Sequence, residues 1–331
     1  MNTPRPNMWT LLAGQFGPLL ALVLVFTLFA LTDAAQQDGG RFLSLRNLQT
    51  MLISSAPVVV AALGMTVVII AGGIDLSAGT AVALSATVMA WVLKQGGPIE
   101  LALVCCLLTG CVAGSVNGVM ISALKVAPFI VTLGTMTAYL GIAKLVADET
   151  TVRPPLASVP NWMNGLAMPG PDPAWLLVAP GVWIMLAMAA VLSLVLRYTV
   201  FGRYVFAVGS NEQTARLCGV NVPALKVAVY TLSGFFIGLA GMYQFAKLKV
   251  GNPTSGVGLE LKVIAAVVIG GASLSGGRGT VLGTLTGALI MQTIASGCTQ
   301  LGLSNPIQDI ILGVIIVAAV TVDQFRQRRV A

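Results

Sequence analysis

Charge in this chain is confined to a few short stretches, and long runs between them carry none: Met51–Ile74, Leu76–Leu93, Leu101–Leu124, Val126–Ala143, Pro173–Leu196, Val227–Ala246, Val263–Gly277 and Gly279–Gln308. A helix needs about 20 apolar residues to cross the hydrocarbon of a bilayer, and several of these runs reach that length. With 56% hydrophobic and 9% charged residues over 331 positions, a water-soluble surface cannot be built. The chain is therefore a polytopic membrane protein. Backbone groups in lipid must be satisfied within a helix or in a closed barrel, and these runs lack the alternation of barrel strands. The expected fold is an all-α bundle forming one transmembrane domain over residues 1–331.

About ten membrane segments can be drawn: Trp9–Leu31, Met51–Ala71, Leu76–Leu93, Leu101–Ala123, Val126–Ala147, Ala174–Leu196, Leu225–Phe245, Leu261–Gly271, Thr280–Gly297 and Pro306–Val322. Some are short or broken. The first has a leader with a single Arg and no convincing small-x-small cleavage site, so it reads as a retained span rather than a signal peptide. Basic residues collect at Arg197, Arg203, Arg216 and Lys226 and again at Arg326, Arg328 and Arg329. Such clusters beside spans mark the cytoplasmic face, so the positive balance points to membrane lipid and topology, not to nucleic acid. The stretch Asp148–Pro173, with six prolines and the acids Asp148, Glu149 and Asp172, then lies outside, with Trp175 at the interface. Lys247, Lys249 and Lys262 fall outside in the same count, against the trend.

The chain has no histidine. That removes Ser-His and Cys-His nucleophile pairs and His-bearing metal sites together. The five cysteines show no zinc or C-x-x-C spacing, so packing is their role. Neither an enzyme site, a metal site nor a cofactor site can be read. Gly-Gly-Arg-Gly-Thr at Gly276–Thr280 is not a phosphate loop, since G-x4-G-K-[ST] is absent.

Glycine is instead spaced for helix contact. Gly110, Gly114 and Gly118, then Gly234 and Gly238, then Gly279, Gly283 and Gly287, each recur at every fourth position. In lipid such stripes let helix backbones approach. An internal echo also appears: "VVIIAGGIDLSAGT" (Val67–Thr80) resembles "AAVVIGGASLSGGRGT" (Ala265–Thr280). Glycine breaks at corresponding places of two repeats point toward a solute path. Whether the two copies run in the same sense depends on whether all six segments between them cross.

Asp75 is the one charge between Met51 and Leu93. Either Asp75 and Ser77 cap the helix beginning near Ala78, or the acid faces a cavity, because a carboxylate at the bilayer centre costs about 2.5–3.5 kcal/mol. Both roles are compatible. The echo has Ser273 and Ser275 in place of an acid, which argues against a symmetric ion relay. Asn117 lies in a glycine-lined segment and needs a neighbouring helix or a solute as partner. Asp309, three residues after Pro306, complements the dipole of the last span. Glu260 and Lys262, two apart, do not face one another on a helix.

The most informative polar stretch is "GRYVFAVGSNEQTARLCGVNVPALK" (Gly202–Lys226). Ser210-x-x-Gln213 reads as a capping box, Glu212 suits a first turn, Arg216 a last turn, and Gly219 a left-handed stop before Pro223. A helix of about two turns gains little from its own backbone, so docking into a partner's groove is expected to supply its burial.

GGIDLSAG (Gly72–Gly79), NGVMISALKVAPFIVTLGTM (Asn117–Met136), GRYVFAVGSNEQTARLCGVNV (Gly202–Val222), PTSGVGLEL (Pro253–Leu261), IAAVVIGGASLSGGRGT (Ile264–Thr280) and VDQFRQRR (Val322–Arg329) together resemble the permeases of bacterial ATP-driven importers of the ribose type. The resemblance covers most of the chain. It implies an inner-membrane permease dimer, cytoplasmic ATP-binding subunits and a periplasmic sugar-binding protein. It also implies that residues 202–222 form the coupling loop, with Gly202, Arg203, Gly209, Asn211, Ala215, Arg216 and Gly219 on the motif. Two departures stand out. The family usually has an acid where Lys262 stands and a serine where Cys218 stands.

The expected function is a transport subunit, with no ATPase site of its own, that moves a monosaccharide by alternating access. Asp75, Ser77, Asn117, Glu260 and Ser275 are the candidate path residues. The alternative is an ion-coupled secondary transporter of a small polar solute. A membrane anchor or intramembrane enzyme is the third class, and no nucleophile–base pair supports it.

Overall fold

The computed structural model describes residues 8–35, 40–170 and 176–328. Helices follow one another as α1 (Met8–Ala34), α2 (Leu45–Ile70), α3 (Ala78–Lys94), α4 (Ile99–Leu124), α5 (Pro128–Val146), α6 (Asn161–Leu166), α7 (Pro180–Tyr198), α8 (Val200–Ser210), α9 (Glu212–Leu217), α10 (Val222–Leu248), α11 (Leu259–Ile269), α12 (Val281–Gln300) and α13 (Asn305–Arg328). Each expected apolar segment coincides with one of these. Among the described residues seven are long and apolar enough to cross a membrane, namely α1, α2, α4, α5, α7, α10 and α12. Asp172, Trp175 and Arg329 lie outside the described residues, as do the side chains of Arg326 and Arg328.

Helix α2 is the centre of the bundle. Its apolar window is 89% buried, against 6% for the window of α1. Around it stand α10, α12, α11 and α7. A helix enclosed by other helices keeps no lipid-facing stripe, which is why α2 from Ala56 to Ile70 is apolar all round except for Thr66.

The glycine stripes do what their spacing predicts. The most extensive pairing is α10 with α4. A Cβ on Gly110 would meet the Gly234 carbonyl, and one on Gly114 the Tyr230 carbonyl. One on Gly238 would lie 2.9 Å from the Leu107 Cα. Backbones this close admit no side chain, and contact between them replaces the apolar driving force that lipid removes. Ser115 and Thr231 hydroxyls bond across the seam at 2.8 Å. The third stripe works the same way between α12 and α11, where Gly283 abuts the Gly270 carbonyl and Gly287 the Ala266 carbonyl.

Among the helices that coincide with expected spans, α3 and α11, with 17 and 11 residues, are the shortest. The chain leaving α10 pairs with Val152 through Gly251 and then runs inward along α3. Gly251 packs against Thr87 and Ala90, and Gly256 against the Gly79 carbonyl. By the time α11 starts, part of the depth has already been crossed without helix. Such irregular backbone is tolerated within a membrane only where protein covers it.

The stretches that follow α5 and α7 lie at opposite ends of the bundle. Val152 and Gly251 meet at one end, and Ser122 bonds to Pro223 at the other, beside α9. The 19 residues of α7 separate these ends by about 28 Å at 1.5 Å per residue. Residues 148–170 form a short helix, α6, rather than a span, as their prolines require. Both echo motifs open at the α9 end, with the Gly277 N–H donating to the Ile70 carbonyl at 2.9 Å. The two copies therefore run in the same sense.

Candidate functional site

Three of the five path candidates form one cluster. The break between α2 and α3 turns Asp75 inward to zero exposure. Its Oδ1 accepts from the Ser77 N–H at 2.9 Å, the Ser77 hydroxyl at 2.6 Å and the Asn117 amide at 3.4 Å. Asn117 also donates to the Ser77 hydroxyl at 2.8 Å. Ser77 is the N-cap of α3 by position but makes no side-chain cap bond. Asp75 instead closes a two-residue turn on it and ties that turn to α4, so the acid fastens a break in the helix.

Residues that local reading of the sequence missed complete the cluster. The Tyr139 hydroxyl from α5 donates to the Ala113 carbonyl at 2.8 Å and lies 3.3 Å from the Asn117 Oδ1. The Thr132 hydroxyl accepts from the Leu76 N–H at 3.1 Å, and the Tyr230 hydroxyl donates to the Ile74 carbonyl at 3.3 Å. The break is thus held by α4, α5 and α10 together. Ala113 and Asn117 are four apart on one helix face, a weak sign that one side chain could reach both. Replacing Tyr139 with Phe should cost about 1 kcal/mol for the lost bonds. An earlier thermal transition of the detergent-solubilised protein would register it, and an unshifted one would contradict the assignment.

Glu260 stands in the first turn of α11, 8% exposed, with Oε1 accepting the Gly258 N–H at 3.0 Å. Its Oε2 faces Gly79 in α3, where a Cβ would collide with it. The Oδ2 of Asp75 and the Oε2 of Glu260 are both buried without a hydrogen-bond partner. Buried acceptors are normally satisfied, so two orphans around the first turn of one helix call for an explanation. Ser275 is not part of this cluster. It is exposed, its hydroxyl lies 2.8 Å from that of Ser273, and it belongs to the second break.

The polar loop contains one more helix than its sequence suggested. Thr199 caps α8 through the Gly202 N–H at 3.2 Å, and Gly202 packs against the Leu196 carbonyl where no Cβ fits. Gly202, Val205 and Val208 form the buried face of α8, with Arg203 exposed. Ser210 does not cap the next helix as the capping box predicted. It ends α8, and Asn211 takes the extended conformation, φ −158° and ψ 102°. The Asn211 side chain then accepts the Thr214 N–H at 2.9 Å. Two good capping residues stand side by side, and the length of α8 decides between them.

Helix α9 otherwise follows expectation. Glu212 binds Arg216 at 3.1 Å and Lys226 at 2.9 Å, and Gly219 ends the turn at φ +85°. Ala215 is buried, while Leu217 is 89% exposed. At the elbow between α8 and α9, Gly209 lies directly on the Ile70 carbonyl. A Cβ on Gly276 would lie 2.6 Å from the Gly209 carbonyl and 2.9 Å from the Gly72 Cα. The elbow is therefore seated in the junction of the two echo motifs.

Comparison with known proteins accords with this architecture. Residues 47–320 match the family described as the permease component of branched-chain amino acid transport systems. The chain is 36% identical to the ribose import permease of Escherichia coli over 93% of its own length and 94% of that protein. It is 36% identical to the ribose import permease of Bacillus subtilis, over 94% and 92% respectively. Identity to the fructose import permease of Rhizobium meliloti is 34%, over 93% and 84%. No solved structure matches the chain. Matches of this extent and identity make the chain a member of the family of multi-pass, inner-membrane permease subunits of ATP-binding-cassette importers, which work with a separate ATP-binding subunit and a solute-binding partner.

Proposed function

We propose that this permease imports a monosaccharide-sized solute as a pair of identical chains, with residues 202–222 as the loop through which a cytoplasmic ATP-binding subunit drives it. The relatives named for ribose and fructose support the solute size. The observation that carries the mechanical reading is the seating of Gly209 on the Ile70 carbonyl, which connects the α8–α9 elbow to both glycine breaks at once. A push on α9 is transmitted through backbone contacts to α2 and to the loop joining α11 and α12, with no compliant side chain between.

Asp75, Ser77, Asn117 and Glu260 lie around the break between α2 and α3, and Ser275 around the second. In this reading the orphan oxygens of Asp75 and Glu260 are acceptors for solute hydroxyls exposed when the breaks move. Leu217 supplies the apolar contact to the ATP-binding subunit, since a leucine 89% exposed on a two-turn helix has no burial of its own.

Purified and reconstituted alone, the permease should move no sugar. With its ATP-binding subunit and exported binding protein it should do so only with ATP. Leu217→Glu should reduce recovery of the ATP-binding subunit by about tenfold, with the permease itself inserted normally. Full co-purification of that variant, or ion-driven uptake by the permease alone, would defeat the proposal.

A further inference from the structure

Beside the central helix, on the side away from α4, α2, α10, α11, α12 and α13 surround a cavity of about 290 Å³. Its polar wall includes Lys247, Lys262, Gln244, Gln292, Gln308 and a single acid, Asp309. Pockets for small ligands run from roughly 300 to 1,000 Å³, and this one stands at the lower edge of that range, on the scale of a monosaccharide.

Lys262 and Lys247 are exposed, and Lys247 stands one residue before the Leu248 end of α10, so the cavity wall reaches the Val152–Gly251 end of the bundle. The charge of Lys262 is unfavourable in two ways. It sits in the first turn of α11, where the helix dipole favours an anion. Finally, neither Lys262 nor Lys247 makes an ion pair among the described residues, whose two ion pairs both involve Glu212. Glu260 does not compensate it. Two residues away on the helix, it turns toward Gly79 of α3 and is absent from the cavity wall.

We infer that this cavity receives the negative group of the solute, which is a sugar-sized molecule bearing a carboxylate or a phosphate rather than a neutral monosaccharide. Lys262 and Lys247 supply the two cations, and the amides of Gln244 and Gln292 supply hydrogen bonds beside them. The inference deepens the import reading above and rests on it. It separates the cargo of this permease from that of relatives named for neutral sugars. Glu260 and Asp75 both lie outside the cavity wall, and Tyr230, which bonds the break at Asp75, is about 21 Å from Gln244 along α10 at 1.5 Å per residue.

The complete transporter in proteoliposomes tests this with D-ribose, D-ribonate and D-ribose 5-phosphate as probes. Acylation of Lys247 and Lys262 by a small amine reagent, followed by peptide mass spectrometry, should slow about tenfold with either anion at a concentration where ribose has no effect. Lys262→Glu should abolish that discrimination at Lys247, and Lys262→Arg should retain it. Equal protection by ribose, no protection by either anion, or discrimination surviving Lys262→Glu would overturn the assignment. Protection by phosphatidylglycerol in the vesicle, with no further effect of solute, would make this a lipid headgroup site and overturn it equally. Labelling needs no ATP turnover, so failure of the import reading would appear separately, as loss of ATP-binding subunit association.

Discussion

Gly209→Ala is expected to lower uptake by about a hundredfold while every long span still inserts. The added methyl would fall on the Ile70 carbonyl and lie 2.7 Å from the Gly277 N, and both neighbours are backbone. Overpacking against rigid surroundings costs about 1–3 kcal/mol, and the upper part of that range corresponds to roughly a hundredfold in a conformational equilibrium. Relief can come only by lifting the elbow off the breaks, which disconnects α9 from the helices it moves. The signature is specific: ATP hydrolysis and co-purification of the ATP-binding subunit persist, and uptake does not follow. Wild-type uptake in this variant would show that the elbow contact transmits nothing.

Asp75→Ala has a different signature. It strands the Ser77 N–H, the Ser77 hydroxyl and the Asn117 amide, all bonded to one carboxylate oxygen. Unmade buried bonds of this kind cost about 1–3 kcal/mol each, and the mutual bond between Asn117 and Ser77 recovers part, so a net loss on the order of 3 kcal/mol is expected. A lowered melting temperature and lower folded yield would register it. Asp75→Asn keeps an acceptor at Oδ1 but places an amide where the orphan Oδ2 stood. That variant should fold nearly as well as wild type and lose uptake if the orphan oxygen accepts a solute hydroxyl. Normal uptake by Asp75→Asn would reduce the acid to a fastener of the break.

Much of the bundle was legible because the membrane simplifies the code. Charge-free length located the spans, and glycine spacing located the α4–α10 and α11–α12 contacts, since both signals are local and periodic. The break at Gly72–Asp75 was legible for the same reason. Which residues hold it was not. Asn117, Thr132, Tyr139 and Tyr230 come from three later helices, and no local spacing encodes contacts between segments 40 or more positions apart. The sense of the echo was undetermined for a related reason: it turned on whether the short α3 and α11 cross, which length alone does not settle. The choice of Asn211 over Ser210 as cap depended on where α8 stops. Its Val-rich sequence, VFGRYVFAVGS, is ambiguous between helix and loop until its buried face meets the bundle.

The burial of α2 has a consequence for how the molecule is made. The most enclosed helix leaves the ribosome before the partners that enclose it, α7, α10, α11 and α12, which are synthesised only after a long interval. Through that interval Thr66, whose lasting neighbour is Thr284, has only the Ala62 carbonyl of its own helix to bond. The apolar run from Ala56 to Ile70 lets that part of α2 wait in lipid at little cost, so the composition that suits the finished core also suits the nascent chain.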